Sequence, residues 1–349
     1  MDNQLRTVFD RFTQLRNICA SQIQDLGNAG GFSGARLWRI DFDDHAVCIR
    51  RWPGNMQPSR LSQIHQLLNH VSPNVPVPVP LKTFDGNTYL TMEDHIWQVE
   101  PWMPGKADYE TTPSNRKLKS ALRALASFHD ASEAFDSREG WHFPAIQIRI
   151  SETQNLLDGN LAKLSGAIAA DTLAANGLTL DITNELIGLA RRYCDLAHSV
   201  APVMLAGLQL SANRVGKNIF CLRDIWHDHL LFTGDQVSGI VDFGAVNFDT
   251  PLTDIARLVG SLVGDEIDKR TMAFEAYREK REFSHQDEEL VELLDHAGIL
   301  IAGKNWLDWI WLKQLRFENF ELVVRRLRGI ITRLETITAG YAGKIIGSS

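Results

Sequence analysis

The sequence predicts an α+β protein, with short strands and tight turns filling the first hundred residues and helices dominating the rest. Three observations carry this. Apolar runs of strand length, Ala35 to Ile40, Ala46 to Ile49 and Ile96 to Met103, are separated by glycine, aspartate and proline. From Asn115 onward apolar residues recur at helical spacing. Within that helical half lies one more hairpin signal, two apolar runs flanking Gly234-Asp235.

A chain of 349 residues with 44% hydrophobic content buries a large core and, at ordinary domain sizes, divides into roughly two subdomains. Net charge is −7, the pI is near 5.9, and Lys and Arg are scattered, so no basic footprint for nucleic acid exists. No apolar run approaches the roughly 20 residues that span a bilayer, and MDNQLRTVFDRF is polar and amphipathic, so the expectation is a cytoplasmic protein with no membrane partner. Cys19, Cys48, Cys194 and Cys221 lie far apart without a C-x-x-C pair, which reads as reduced structural thiols.

Taken in order, residues 4–20 place Val8, Phe9, Phe12 and Leu15 on one helical face. Glycines at 27, 30, 31 and 34 then precede the strand Ala35 to Ile40, where a backbone without Cβ atoms can approach a phosphate closely. The strand Ala46 to Ile49 runs into the basic pair Arg50-Arg51. A helix over 59–71 follows, carrying no acidic residue, and the prolines at 73, 76, 78 and 80 end it. Leu81 to Phe84 and Thr88 to Met92 read as a hairpin around Asp85-Gly86, and Ile96 to Met103 as a buried strand ending at Pro104-Gly105. Helices are expected over 115–129, 144–157, 182–204, 251–263, 266–280, 287–302 and 317–337, with a polar, Gly/Ala-rich insertion over 158–181. Trp306, Trp309 and Trp311 read as core.

The chain is organised around residues 218–244. A two-residue loop at Gly234-Asp235 pairs Thr233 with Gln236 and, counting back, His229 with Ile240. That register carries Asp242 to the mouth of the loop holding Asp224, Asp228 and His229. Carboxylates that converge in this way cost Coulomb energy unless they share a cation or a proton, so they mark a metal or proton-transfer site.

Leu222-Arg223-Asp224, four residues and His229, then Gly239-Ile240-Val241-Asp242-Phe243-Gly244 and later Asp254-Ile255-Ala256, resemble the catalytic core of the aminoglycoside phosphotransferase and choline kinase family. The resemblance implies a bilobal protein-kinase-like fold, with a small antiparallel sheet lobe over 1–103 and a larger helical lobe over 104–349. It implies transfer of the γ-phosphoryl of ATP to a hydroxyl of a small metabolite or aminoglycoside-like substrate, by a monomer or homodimer. Asp224 would be the catalytic base, Asp242 and His229 would hold Mg2+ or Mn2+, and Asp254 would brace the catalytic loop. Gly30, Gly31, Ser33 and Gly34 would cover the nucleotide, Arg50 would grip its phosphates, and Glu100 and Trp102 would lie by the adenine on the interlobe strand.

Three positions depart from the family pattern: Leu222 replaces His, Arg223 replaces Gly, and His229 replaces Asn. The glutamate that normally braces the phosphate-gripping cation is also missing from the helix over 59–71. These departures leave open a nucleotide-binding protein without transfer chemistry. A transition-metal hydrolase built on His227, Asp228 and His229 ranks last, because it makes no use of Asp254-Ile255-Ala256 or the glycine loop.

Overall fold

Five strands, β1 (Ile23–Gly27), β2 (Arg36–Asp41), β3 (Ala46–Arg51), β4 (Leu90–Met92) and β5 (His95–Pro101), pair antiparallel in the order β1-β2-β3-β5-β4 in the computed structural model. It describes residues 3–12, 15, 23–27, 34–135, 145–170, 179–212, 217–315, 317 and 319–347, with side chains as far as Tyr341. Alternation along the strands turns Trp38, Ile40, Val47, Ile49, Trp97 and Val99 into one apolar layer, covered by Val8 and Phe9 of α1 (Asn3–Arg11) and by Phe12. Trp38 and Trp97 stack with ring centroids 5.3 Å apart.

The hairpin expected around Asp85-Gly86 does not form. Thr83 N–H donates to the Asn87 carbonyl at 2.8 Å and Gly86 N–H to the Thr83 carbonyl at 3.0 Å, closing a turn without a ladder. Pairing begins only at β4, which joins β5 through Glu93 and Asp94, both left-handed at φ 46° and 62°. Acidic residues there replace the Asn-Gly that normally announces such a turn.

Helix α2 (Pro58–Val71) begins with proline and buries Leu61, Ile64, His65, Leu67, Leu68 and Val71. Helix α3 (Asn115–Glu133) is capped by Ser114, whose hydroxyl accepts from Lys117 N–H. The later helices are α4 (Ala145–Asn155), α5 (Leu161–Ala169), α6 (Leu180–Ser211), α7 (Leu252–Val263), α8 (Ile267–Arg278), α9 (His285–Leu307) and α10 (Phe320–Gly347). Helix α5 lies within the stretch expected to be an insertion. Trp306 and Trp311 are buried core beside Tyr193, Met204 and Leu327. Cys48, Cys194 and Cys221 are free thiols. Among the described residues no helix is long and apolar enough to cross a membrane.

The chain forms two compact units, each discontinuous in sequence. One comprises Met1–Trp141, Ile219–Phe248 and Met272–Arg281; the other comprises His142–Asn218, Asp249–Thr271 and Glu282–Ser349. This grouping places α3 and the hairpin around Gly234-Asp235 with the sheet. Direct bonds explain this. Lys106 and Phe232 exchange backbone hydrogen bonds of 3.0 and 2.9 Å, the Ser114 hydroxyl donates to Asp235 at 2.7 Å, and Val237 N–H donates to Ser120 Oγ at 2.9 Å.

Candidate active site

The hairpin that carries the site is β7 (Leu230–Thr233) and β8 (Gln236–Ile240), paired antiparallel around Gly234 at φ +59°; the strand before it, β6 (Ile219–Cys221), pairs instead with β9 (Asn247–Asp249). Thr233 faces Gln236 as the loop length requires, but the register shifts at Ser238, so Leu230 rather than His229 faces Ile240. The bulge is bonded in place: Ser238 Oγ donates to the Pro104 carbonyl at 2.7 Å. A Cβ on Gly105, at φ +100°, would lie 2.3 Å from that hydroxyl, so only glycine fits the segment leaving β5. The shift leaves the convergence intact, because Val241 N–H bonds the His229 carbonyl at 3.0 Å and Asp242 follows at the loop mouth.

In the loop before the hairpin, Leu222 and Ile225 are buried while Asp224 is exposed. Arg223 adopts φ +69° and Asp242 φ +65°. Aspartate tolerates the left-handed region, whereas a long side chain such as Arg223 is strained there. Both ring nitrogens of His229 are engaged: Nε2 accepts from Trp226 Nε1 at 2.9 Å, and Nδ1 lies 2.7 Å from the Asp224 carbonyl. The ring is therefore the neutral Nδ1–H tautomer. Its Nε2 is 3.7 Å from Asp242 Oδ2. Asp224 and Asp242 open into one cavity of about 270 Å³, walled by Trp52, Pro53, Met56 and Gly244.

Behind Asp242 stands Arg50, 7% exposed, with Nη1 3.4 Å from Asp242 Oδ1, Nη2 3.5 Å from Glu100 Oε1, and the guanidinium 4.9 Å over the Trp52 ring. The brace that the sequence of α2 lacks is thus a glutamate on β5. Register explains it: Arg50 lies opposite Gln98, and Cys48 opposite Glu100. The signal was present in HIWQVEP, where two polar residues alternate with apolar ones in a strand buried throughout its middle. Burial pulls Arg50 down, but Glu100 and Asp242 outweigh it and raise its pKa, while burial pushes Glu100 up against the pull of Arg50. Helix α2 also reaches the segment after Asp242, with Arg60 Nη2 donating to the carbonyls of Gly244 at 3.2 Å and Val246 at 2.8 Å.

Of the other residues singled out from sequence, Gly34 is exposed at φ +73° just before β2, while Gly30, Gly31 and Ser33 lie outside the described residues. Trp102 is 36% exposed and stacks under the Arg39 guanidinium at 4.7 Å, with its backbone N–H donating to the Ala46 carbonyl at 2.9 Å. Asp254 is fully buried in the first turn of α7.

The family described as "Phosphotransferase enzyme family" matches residues 26–292. No curated protein matches the sequence. Solved structures of similar fold include a spectinomycin phosphotransferase in complex with ADP and spectinomycin, at TM-score 0.68 and 10% identity over 96% of this chain and 97% of that one. A microcompartment-associated aminopropanol kinase aligns at TM-score 0.63 and 14% identity over 98% of both chains. An amicoumacin kinase in complex with AMP-PNP and Ca2+ aligns at 0.62 and 11% over 95% of this chain and 93% of that one. At such identities the likeness is one of fold, and the fold is the protein-kinase-like α+β arrangement.

Proposed function

The chain belongs to the phosphotransferase enzyme family, and on that premise we propose that it is a small-molecule kinase transferring the γ-phosphoryl of ATP to an alcohol. The observation that carries this reading is the single cavity into which both Asp224 and Asp242 open, backed by the buried Arg50 cation. Asp224, exposed on its loop, accepts the hydrogen bond of the substrate hydroxyl and orients it. Arg50 faces the phosphates, and its buried Nε finds no hydrogen-bond partner among the described residues. The ADP and AMP-PNP in two of the similar structures support a nucleotide donor.

The donor set fits a hard divalent cation. Asp242 and Asp224 offer carboxylate oxygens, while the His229 Nε2 lone pair is taken by Trp226. Asp242 would hold Mg2+, with His229, the residue in the place of the family's asparagine, keeping the loop in shape beside it. Bound there, the cation would neutralise phosphate charge. Glycine-loop residues Gly30, Gly31, Ser33 and Gly34 would cover the nucleotide, with Trp102 near the adenine.

The replaced asparagine favours one second reading, a nucleotide-binding protein that performs no transfer. Purified protein supplied with ATP, Mg2+ or Mn2+, and a panel of sugars, amino alcohols and aminoglycosides should release ADP, and Asp224→Asn should abolish that release. Nucleotide binding with no turnover under any of these conditions would favour the second reading.

A further inference from the structure

We propose that Glu100 is a positioning residue for phosphate binding, held in place by a buried chain through Gln98 to His65. The inference rests on the kinase reading and assigns to β5 a task for which α2 carries no carboxylate. His65 projects from α2 and is 4% exposed. Its Nδ1 lies 2.7 Å from Thr88 Oγ1 and its Nε2 3.0 Å from Gln98 Oε1. Trp52 Nε1 reaches the same Gln98 oxygen at 2.6 Å.

An indole N–H can only donate, so that contact fixes the amide: Oε1 is the acceptor and Nε2 faces the other way. His65 then donates through Nε2, and the Thr88 hydroxyl donates to Nδ1. The outward Gln98 Nε2–H donates to Glu100 Oε2 at 2.5 Å. The remaining Glu100 oxygen faces Arg50 at 3.5 Å. Every link behind Glu100 is 3.0 Å or shorter, while Arg50 itself stands 3.4 to 3.5 Å from both of its carboxylates. Charge-assisted bonds normally close to about 2.7–2.9 Å. The chain is tight behind the carboxylate and loose in front of the guanidinium, as preorganisation for an incoming anion requires. Without the Glu100 charge, Arg50 would close onto Asp242 and withdraw both groups from the phosphates.

A purely structural role predicts equal effects on every ligand, so the test compares ligands with and without phosphates. Calorimetric titrations of ATP and adenosine into wild type, Glu100→Gln, His65→Leu and His65→Gln give a phosphate-dependent affinity ratio for each. Glu100→Gln should lower ATP affinity about tenfold or more, with adenosine affinity changed less than about twofold. His65→Leu should act in the same sense, about threefold. His65→Gln, which restores a donor and an acceptor, should return toward wild type. If Glu100→Gln does not fold, the two His65 variants carry the test alone. Equal losses for ATP and adenosine, or an unchanged ratio, would overturn the inference while leaving the kinase reading in place. A wild-type protein that binds neither ligand would overturn both.

Discussion

In the helical unit Arg333 grips Asp265 at 2.7 Å and Asp295 at 2.8 Å, and Arg270 holds Asp295 at 2.9 Å and the Gly264 carbonyl at 2.8 Å. In the sheet-bearing unit Arg50 stands 3.4 Å from Asp242 and 3.5 Å from Glu100. Each cluster centres on a buried cation and a buried carboxylate, Arg270 with Asp295 and Arg50 with Glu100, and extends to partly exposed partners. In the helical cluster the protein's own groups meet the charges at bonding distance. A Cβ on Gly260 would lie 2.2 Å from Asp295 Oδ1, so α7 and α9 leave space for the carboxylate and nothing more. Around Arg50 the contacts are slack; a cavity adjoins each cluster, about 270 Å³ beside Asp242 and about 260 Å³ beside Asp265 and Arg270, so what separates them is contact distance. The first arrangement serves the fold; the second leaves interaction energy available to a ligand.

The two clusters should therefore fail in opposite ways. Asp295→Leu removes the carboxylate that Arg270 and Arg333 share, leaving Arg333 only Asp265 and Arg270 the Gly264 carbonyl, and should cost about 3 kcal/mol of unfolding free energy. Below its lowered melting temperature the variant should keep wild-type nucleotide affinity. Asp242→Asn should change stability by less than about 1 kcal/mol yet lower turnover by about 10³-fold or more. Chemical denaturation and a coupled ADP assay on both variants check this. A nucleotide-binding defect in Asp295→Leu, or a large loss of stability in Asp242→Asn, would erase the distinction.

Acid sharpens the contrast. Burial holds His65 down to about 4, against an ordinary value of 6.5. Between those two values the unfolded chain binds a proton that the folded chain excludes, so stability falls as pH drops from about 6.5 to 4, by up to about 3 kcal/mol from this residue. Burial lowers His296 in the helical unit as well, opposed by Asp295 and Glu292, and adds a loss of the same sign. Asp265 behaves differently. Burial raises it, but Arg333 more than compensates and leaves it below its ordinary 3.8. Its contribution is present above that value and is lost only as pH falls through the folded pKa. His65→Gln, which cannot titrate, should therefore flatten the decline between pH 6.5 and 4 relative to wild type in urea titrations. An unchanged slope would show that His65 takes up its proton without disturbing the fold.

These clusters also show what could be read from sequence. The convergence of Asp224 and Asp242 was legible because a two-residue turn fixes pairing nearby. The one-residue register error arose because the Ser238 bulge is held by the Pro104 carbonyl, a partner distant in sequence. The β4–β5 turn escaped because Glu93-Asp94 carries no glycine and Glu93 does not favour the left-handed conformation that both adopt. Kinases carry the brace of this cation on the helix that α2 represents, whereas here the alternation of Gln98 and Glu100 in an apolar strand paired with that of Arg50 points to β5. The helical charge cluster had no local signature: Asp265 and Arg270 are near neighbours, but Asp295 and Arg333 come from segments far along the chain, and only packing brings them together.

The smallest expected effect concerns the strain stored beside the slack cluster. Arg223 holds φ +69° where the family usually has glycine, and the left-handed region costs a non-glycine residue about 1 kcal/mol or more. Arg223→Gly removes that cost but returns conformational freedom to the unfolded chain, so the net gain should be about 0.5–1 kcal/mol. The same change in the helical unit, at a residue of ordinary helical backbone, should destabilise by about 1 kcal/mol. If the loop conformation matters to the reaction, Arg223→Gly should leave ATP affinity intact while altering turnover, because Asp224 is the next residue and its carbonyl anchors His229 at 2.7 Å. A loss of stability on introducing glycine would mean that the arginine side chain contributes more to the loop than its backbone strain takes away.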